Sequence, residues 1–244
     1  MKKDNNQRLV VILGPNITTL NTIDTIEDFL IFIDEKYKNK AIEINNKYHD
    51  FYYKFSYWDL KQLINYYSNY DIRTLNEKGY DYMEGNTIVG LKELIGFFKD
   101  RGFVVGIVSK GFDFIYNSLK KIYNIDFIVG SRIELDSNIT TNQVKYYCDY
   151  KNKWETIKQE CDYFKIKYEN TLIIGGYEPC NLSLIQEAGF YIRMNCLQKE
   201  NYLSILKRIN NNKMFNECIL KNKFNLFIKN IKYNFWKLQI GNYK

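Results

Sequence analysis

Phe103-Val104-Val105-Gly106-Ile107-Val108-Ser109-Lys110-Gly111-Phe112 is the stretch that decides the fold. From Phe103 to Val108 no side chain is charged or polar. That continuous apolar run is the mark of a strand buried on both faces of a parallel sheet, since a half-exposed strand would alternate. Three more runs are largely apolar. Leu9 to Leu13 ends in Gly14-Pro15-Asn16, Thr171 to Ile174 ends in Gly175-Gly176, and Phe190 to Met194 closes the set.

Between these runs the period lengthens. Helices are expected at about Thr87 to Arg101, Phe112 to Tyr123, Lys153 to Phe164 and Asn181 to Ala188. A short strand is expected at Asp126 to Val129, with a polar β-excursion over Arg132 to Tyr150. Strands alternating with helices imply a doubly wound parallel sheet of the Rossmann-like α/β class, with ligands at the carboxyl ends of its strands. Residues from about Asp24 to Tyr82 depart from this rhythm. Ile26, Phe29, Leu30 and Ile33, then Trp58, Leu60, Leu63, Ile64 and Tyr67, recur at helical spacing without β-branched runs, which predicts an inserted helical lobe.

The 244 residues are 45% apolar and 26% charged, the balance of a soluble globular chain with room for a large core. Met1 to Arg8 is polar and Leu9 to Leu13 is too short for a signal core, so a cytoplasmic location is expected. Five widely spaced cysteines offer no zinc spacing and are expected as free thiols. One histidine, His49, gives a Ser-His-Asp triad little to build on.

Charge is uneven. Residues 201–244 hold nine Lys or Arg against the single acid Glu217. There, Leu220, Phe224, Phe227, Ile231, Phe235 and Leu238 form an apolar stripe with lysines off it. Such a basic amphipathic helix suits an anionic membrane, a protein partner or nucleic-acid phosphates, and equally a helix packed on its own domain.

The strand-end loops resemble the haloacid dehalogenase superfamily, in its phosphoserine-phosphatase-like branch with a helical cap after the first strand. Over residues 9–200, Gly14-Pro15-Asn16-Ile17-Thr18 stands where that family has Asp-x-Asp-x-Thr. Ser109 stands at the phosphate-contacting end of the second motif strand. Lys153 lies 23 residues before Gly176, and Gly175-Gly176-Tyr177-Glu178-Pro179-Cys180-Asn181 stands at the fourth motif. The resemblance implies an α/β core over 1–20 and 84–205, a helical cap over 21–83 and a basic tail over 206–244.

On that alignment Gly14, Asn16, Gly176 and Asn181 occupy the family's aspartate positions. Gly14 has no side chain to attack phosphorus, and the Asn16 amide exchanges no proton at neutral pH. Gly176 and Asn181 offer Mg²⁺, a hard cation, no anionic oxygen, so neither Mg²⁺ nor another cofactor is expected. What remains is a possible anion site made of Thr18, Ser109, the Lys110 and Gly111 amides at a helix start, and Lys153. Glu178 or Asp113 pairing with Lys153 would close it instead, and both arrangements stay open.

The expectation is therefore a catalytically inactive pseudophosphatase that acts by binding, as a regulatory or scaffold subunit or as a sensor of an anionic small molecule. Two alternatives stand beside it. One is an enzyme that reuses the pocket without Mg²⁺ on a phosphorylated or carboxylated small molecule. The other is a membrane- or nucleic-acid-associated module led by residues 220–238.

Overall fold

The computed structural model describes residues 7–14, 25–49, 60–148, 152–176, 188–194 and 201–211. The strands are β1 (Arg8–Leu13), β2 (Phe103–Phe112), β3 (Phe127–Asp136), β4 (Ile139–Tyr146), β5 (Thr171–Gly176) and β6 (Phe190–Met194). They form one sheet in the order β4-β3-β2-β1-β5-β6. All neighbours are parallel except β3 and β4, an antiparallel hairpin at one edge.

The central strand explains the sheet. Val10 and Ile12 of β1 enter one core cluster while Leu9, Val11 and Leu13 enter another, so consecutive side chains fill opposite faces and none can be polar. The first face carries α1 (Thr25–Ile33), α3 (Ile72–Asn86), α4 (Leu91–Lys99), α5 (Asp113–Ile122) and α7 (Tyr202–Asn211), whose apolar residues join a single cluster. The second face carries α6 (Lys153–Phe164) through Trp154, Ile157 and Cys161. Helices on both faces make the sheet doubly wound.

The helical residues between β1 and β2 include α2 (Lys38–His49) as well as α1 and α3. Phe29 of this lobe stacks on Tyr67 and meets Tyr82 edge-on, and both Phe29 and Tyr67 pack at a tilt against Phe114 of α5. Gly79 lets α3 lie against α5, because a Cβ there would overlap the Phe114 carbonyl.

Three elements differ from the sequence reading. The helix expected from Thr87 starts at Leu91, since Gly90 takes φ 88 beside Leu203 and breaks the turn. The second strand runs four residues further, through a register shift between Val108 and Phe112. The amides of Lys110 and Gly111 are therefore strand amides, and the helix starts at Asp113. The third strand also extends, to Asp136, and Ser137 (φ 50) and Asn138 (φ 74) turn it tightly into β4.

The helix expected at 181–188, the stripe over 220–238, and Asn16, Thr18, Glu178, Cys180 and Asn181 lie outside the described residues. Cys148 and Cys161 are buried free thiols. Among the described residues no helix is long and apolar enough to cross a membrane.

Candidate functional site

From β1 the chain builds outward to β2, β3 and β4, then returns through α6 to place β5 and β6 on the opposite side of β1. That reversal makes the carboxyl end of β1 the topological switch point, where an open α/β sheet binds its ligands. The register fixes what stands there. Leu13 pairs with Val108, so the next residues, Gly14 and Ser109, meet at the strand ends. The approach is close enough that a Cβ on Gly14 would overlap the Ser109 side chain. On the other side Gly175 closes against Leu13 and Tyr191.

Ser109 is only 2% exposed, and its Oγ accepts the Gly111 amide at 3.0 Å. The Gly111 N–H is thus turned onto Ser109, leaving the hydroxyl proton available for a ligand. Lys110 is buried as well.

Lys153, also 2% exposed, opens α6 at the same edge of the sheet. Among the described residues it takes part in no ion pair. A buried ammonium is costly without a counter-charge. The pairing considered for Asp113 does not form, because its carboxylate faces Arg132, with Nε to Oδ2 at 3.3 Å.

Two residues of β3 were not legible as functional. Ser131, fully buried, donates to the Lys110 carbonyl at 2.6 Å and accepts the Cys148 amide at 3.1 Å. It joins the second motif strand to the segment that leads into α6. Arg132, next to it, pairs with Asp113 at the mouth of a cleft of about 270 Å³ that Ile72, Asn117, Glu134 and Lys145 also line. Burial pushes the Asp113 carboxyl up to about 6 despite the arginine and the Phe114 amide, which pull the other way.

The donors at the described strand ends are a hydroxyl, backbone groups and an ammonium. That set does not suit Mg²⁺, which takes anionic oxygens. Nor do the described residues gather three metal-ligating side chains in one place.

The chain matches no family model. It is 28% identical over 107 residues, 43% of its length, to a phosphoserine phosphatase of Archaeoglobus fulgidus. It is 27% identical over 132 residues, 49% of its length, to a phosphoserine phosphatase of Methanocaldococcus jannaschii. These stretches span 31% and 62% of the two relatives' own lengths. Among solved structures, a phosphoserine phosphatase holding an analogue of its phospho-aspartyl intermediate superposes with a TM-score of 0.63 at 19% identity. That match covers 83% of this chain and 98% of the other. The chain thus has the haloacid dehalogenase fold in its phosphoserine-phosphatase-like form.

These comparisons correct one expectation. The inactive, binding-only reading rested on the letters at four aligned positions, whereas the relatives and fold neighbours are named as phosphatases. Of the four positions, only Gly14 and Gly176 are among the described residues. A missing side chain at one position says nothing of carboxylates supplied from a neighbouring loop.

Proposed function

We propose that the chain is a phosphatase of small phosphate monoesters, working at the carboxyl ends of β1, β2 and β5. The observation that carries this reading is the buried Lys153, in no ion pair among the described residues, on the helix that leads into β5 of a fold shared with phosphoserine phosphatases. A phosphate would supply an anion that the described residues do not give Lys153, and Ser109 would donate its hydroxyl proton to a phosphoryl oxygen. Lys153 would then offset charge that gathers on the equatorial oxygens as the ester bond breaks. Water takes the phosphoryl group in the end, releasing an alcohol and inorganic phosphate.

Because Gly14 follows the last residue of β1, the carboxylate for nucleophilic or base chemistry has to come from the loops after β1 and β5. The sequence offers Asp24 and Glu178 there. The test is release of inorganic phosphate by the full chain from phosphoserine and a panel of other monoesters, with and without Mg²⁺. Turnover lost in Lys153→Ala, and in Asp24→Asn or Glu178→Gln, is expected. No turnover on any ester would overturn the reading.

A further inference from the structure

We infer that Arg132 is a positioning residue for the anion cradle: gripped by Asp113 and laid over Tyr146, it sets the first turn of α6 and with it the buried Lys153. The inference rests on the proposed phosphate site and adds a coupling between that site and the β3–β4 hairpin.

The path is a sequence of contacts. Arg132 Nε lies 3.3 Å from Asp113 Oδ2, and its guanidinium carbon stands 5.7 Å from the centroid of the Tyr146 ring, within cation–π range. The Tyr146 hydroxyl meets Thr156 Oγ1 at 2.7 Å. Thr156 in turn bonds the Asn152 carbonyl through both its amide (2.8 Å) and its hydroxyl (3.0 Å), closing the turn in which Lys153 sits.

Two features make this path decisive for α6. Asn152, the residue at the helix start, gives no side-chain cap hydrogen bond, and its side-chain amide donates to the Tyr147 carbonyl at 2.6 Å. The Tyr146 hydroxyl, bonded to Thr156, ties this first turn to the β3–β4 hairpin. The hairpin register also shifts between Arg132 and Ile133, the kind of bulge that redirects a side chain beside a functional site.

The grip responds to pH. Asp113 faces Arg132 and Glu134 of β3 and Lys145 of β4 across the cleft. Arg132 also lies within electrostatic reach of Glu160 on α6, which Lys120 of α5 balances. From α3 the cleft receives Ile72, and Asn76 bonds Asn117, while Arg73 is held by Asp71. Burial raises the carboxyls of both Asp113 and Glu160, so acidification neutralises Asp113 and frees Arg132. Anion affinity at Lys153 should then fall on acidification. Ordinary electrostatics predicts the reverse, because protonating carboxylates makes a protein more cationic.

Sulfate is the probe, as it stays a dianion from about pH 5 to pH 8, where phosphate titrates. By calorimetric titration the full chain should bind sulfate roughly tenfold more weakly at about pH 5 than at about pH 8. Asp113→Asn and Arg132→Gln should bind weakly at both, with no pH slope. Affinity that is unchanged or stronger on acidification, or a parent-like slope in Asp113→Asn, would overturn the coupling.

A second readout needs no ligand. With Trp58→Phe and Trp236→Phe, the remaining Trp154 reports the first turn of α6, and its emission should step near pH 6 and lose that step with Arg132→Gln. No sulfate binding by the parent at any pH would remove the cradle itself, and a flat Trp154 emission would remove the coupling.

Discussion

Ser131 donates its hydroxyl to the Lys110 carbonyl at 2.6 Å and so binds β3 to the last residues of β2 by a side chain instead of the ladder. The same oxygen accepts the Cys148 amide at 3.1 Å, so one buried hydroxyl satisfies two backbone groups where the sheet register shifts. Ser131→Ala should take one hydrogen-bond partner from the Lys110 carbonyl and one from the Cys148 N–H, both buried. The expected loss is about 2–4 kcal/mol of stability, read by denaturant titration, with weaker anion binding alongside. A change under about 0.5 kcal/mol would mean that other groups reach both orphans.

Asp113 supplies a pH prediction of definite sign. Its ordinary pKa of 3.8 rises to about 6 in the fold, first through burial. A raised carboxyl binds its proton more tightly when folded, so its stabilising effect is complete below about pH 4 and disappears as pH rises through about 6. The ionised group then costs about 3 kcal/mol, as an order of magnitude. Asp113→Asn should therefore be more stable than the parent by about 1–3 kcal/mol at pH 8, and equal to it near pH 4. A less stable variant at pH 8 would show that the Arg132 pair outweighs the burial penalty. Stability gained together with a lost pH response would be the usual exchange at a working site.

Lys153→Met separates charge from volume. Replacing a buried ammonium by an apolar side chain of similar length is commonly neutral or stabilising, by up to about 4 kcal/mol. The variant should keep or raise its melting temperature while losing both the thermal shift with phosphate and any phosphatase turnover. Unfolding on this substitution would point instead to a structural counter-charge for Lys153.

The elements legible in the sequence were those buried on two faces or strongly periodic. β1 and β5 read as apolar runs, β6 as one interrupted only by Arg193, and α6 was bounded at Lys153 and Phe164 as found. The hairpin was seen only as a polar excursion. An edge strand with one wet face, Ile139–Tyr146, has no aliphatic signature, and its turn uses Ser137 and Asn138 where a glycine would have announced it. Among the candidate site residues, Ser109 and Lys153 were legible as candidates because each lies at the end or the start of a predictable element. Ser131, Arg132 and the Asp113 contact were not, since a pairing between residues 19 apart in sequence depends on a register that one chain does not reveal. Inactivity was inferred from missing letters, and that inference failed for a related reason: a motif position states what one side chain cannot do, not what an adjacent loop can bring.

The contact between Gly14 and Ser109 tests the site's geometry most directly. A Cβ at residue 14 would occupy space that Ser109 already fills, in a strand pair whose ladder leaves little freedom to move apart. Gly14→Ala should cost about 1–3 kcal/mol through overpacking. Removing the obstacle in Gly14→Ala with Ser109→Gly should recover most of that loss, giving a coupling of similar size in a double-mutant cycle. Gly14→Asp would then gain nothing: with Ser109 in place the carboxylate has no room at the strand end, so the melting temperature should fall and turnover should not rise. If Gly14→Asp folds as well as the parent and hydrolyses phosphoserine faster, the strand ends must be able to part, and the chemistry would belong to residue 14 after all.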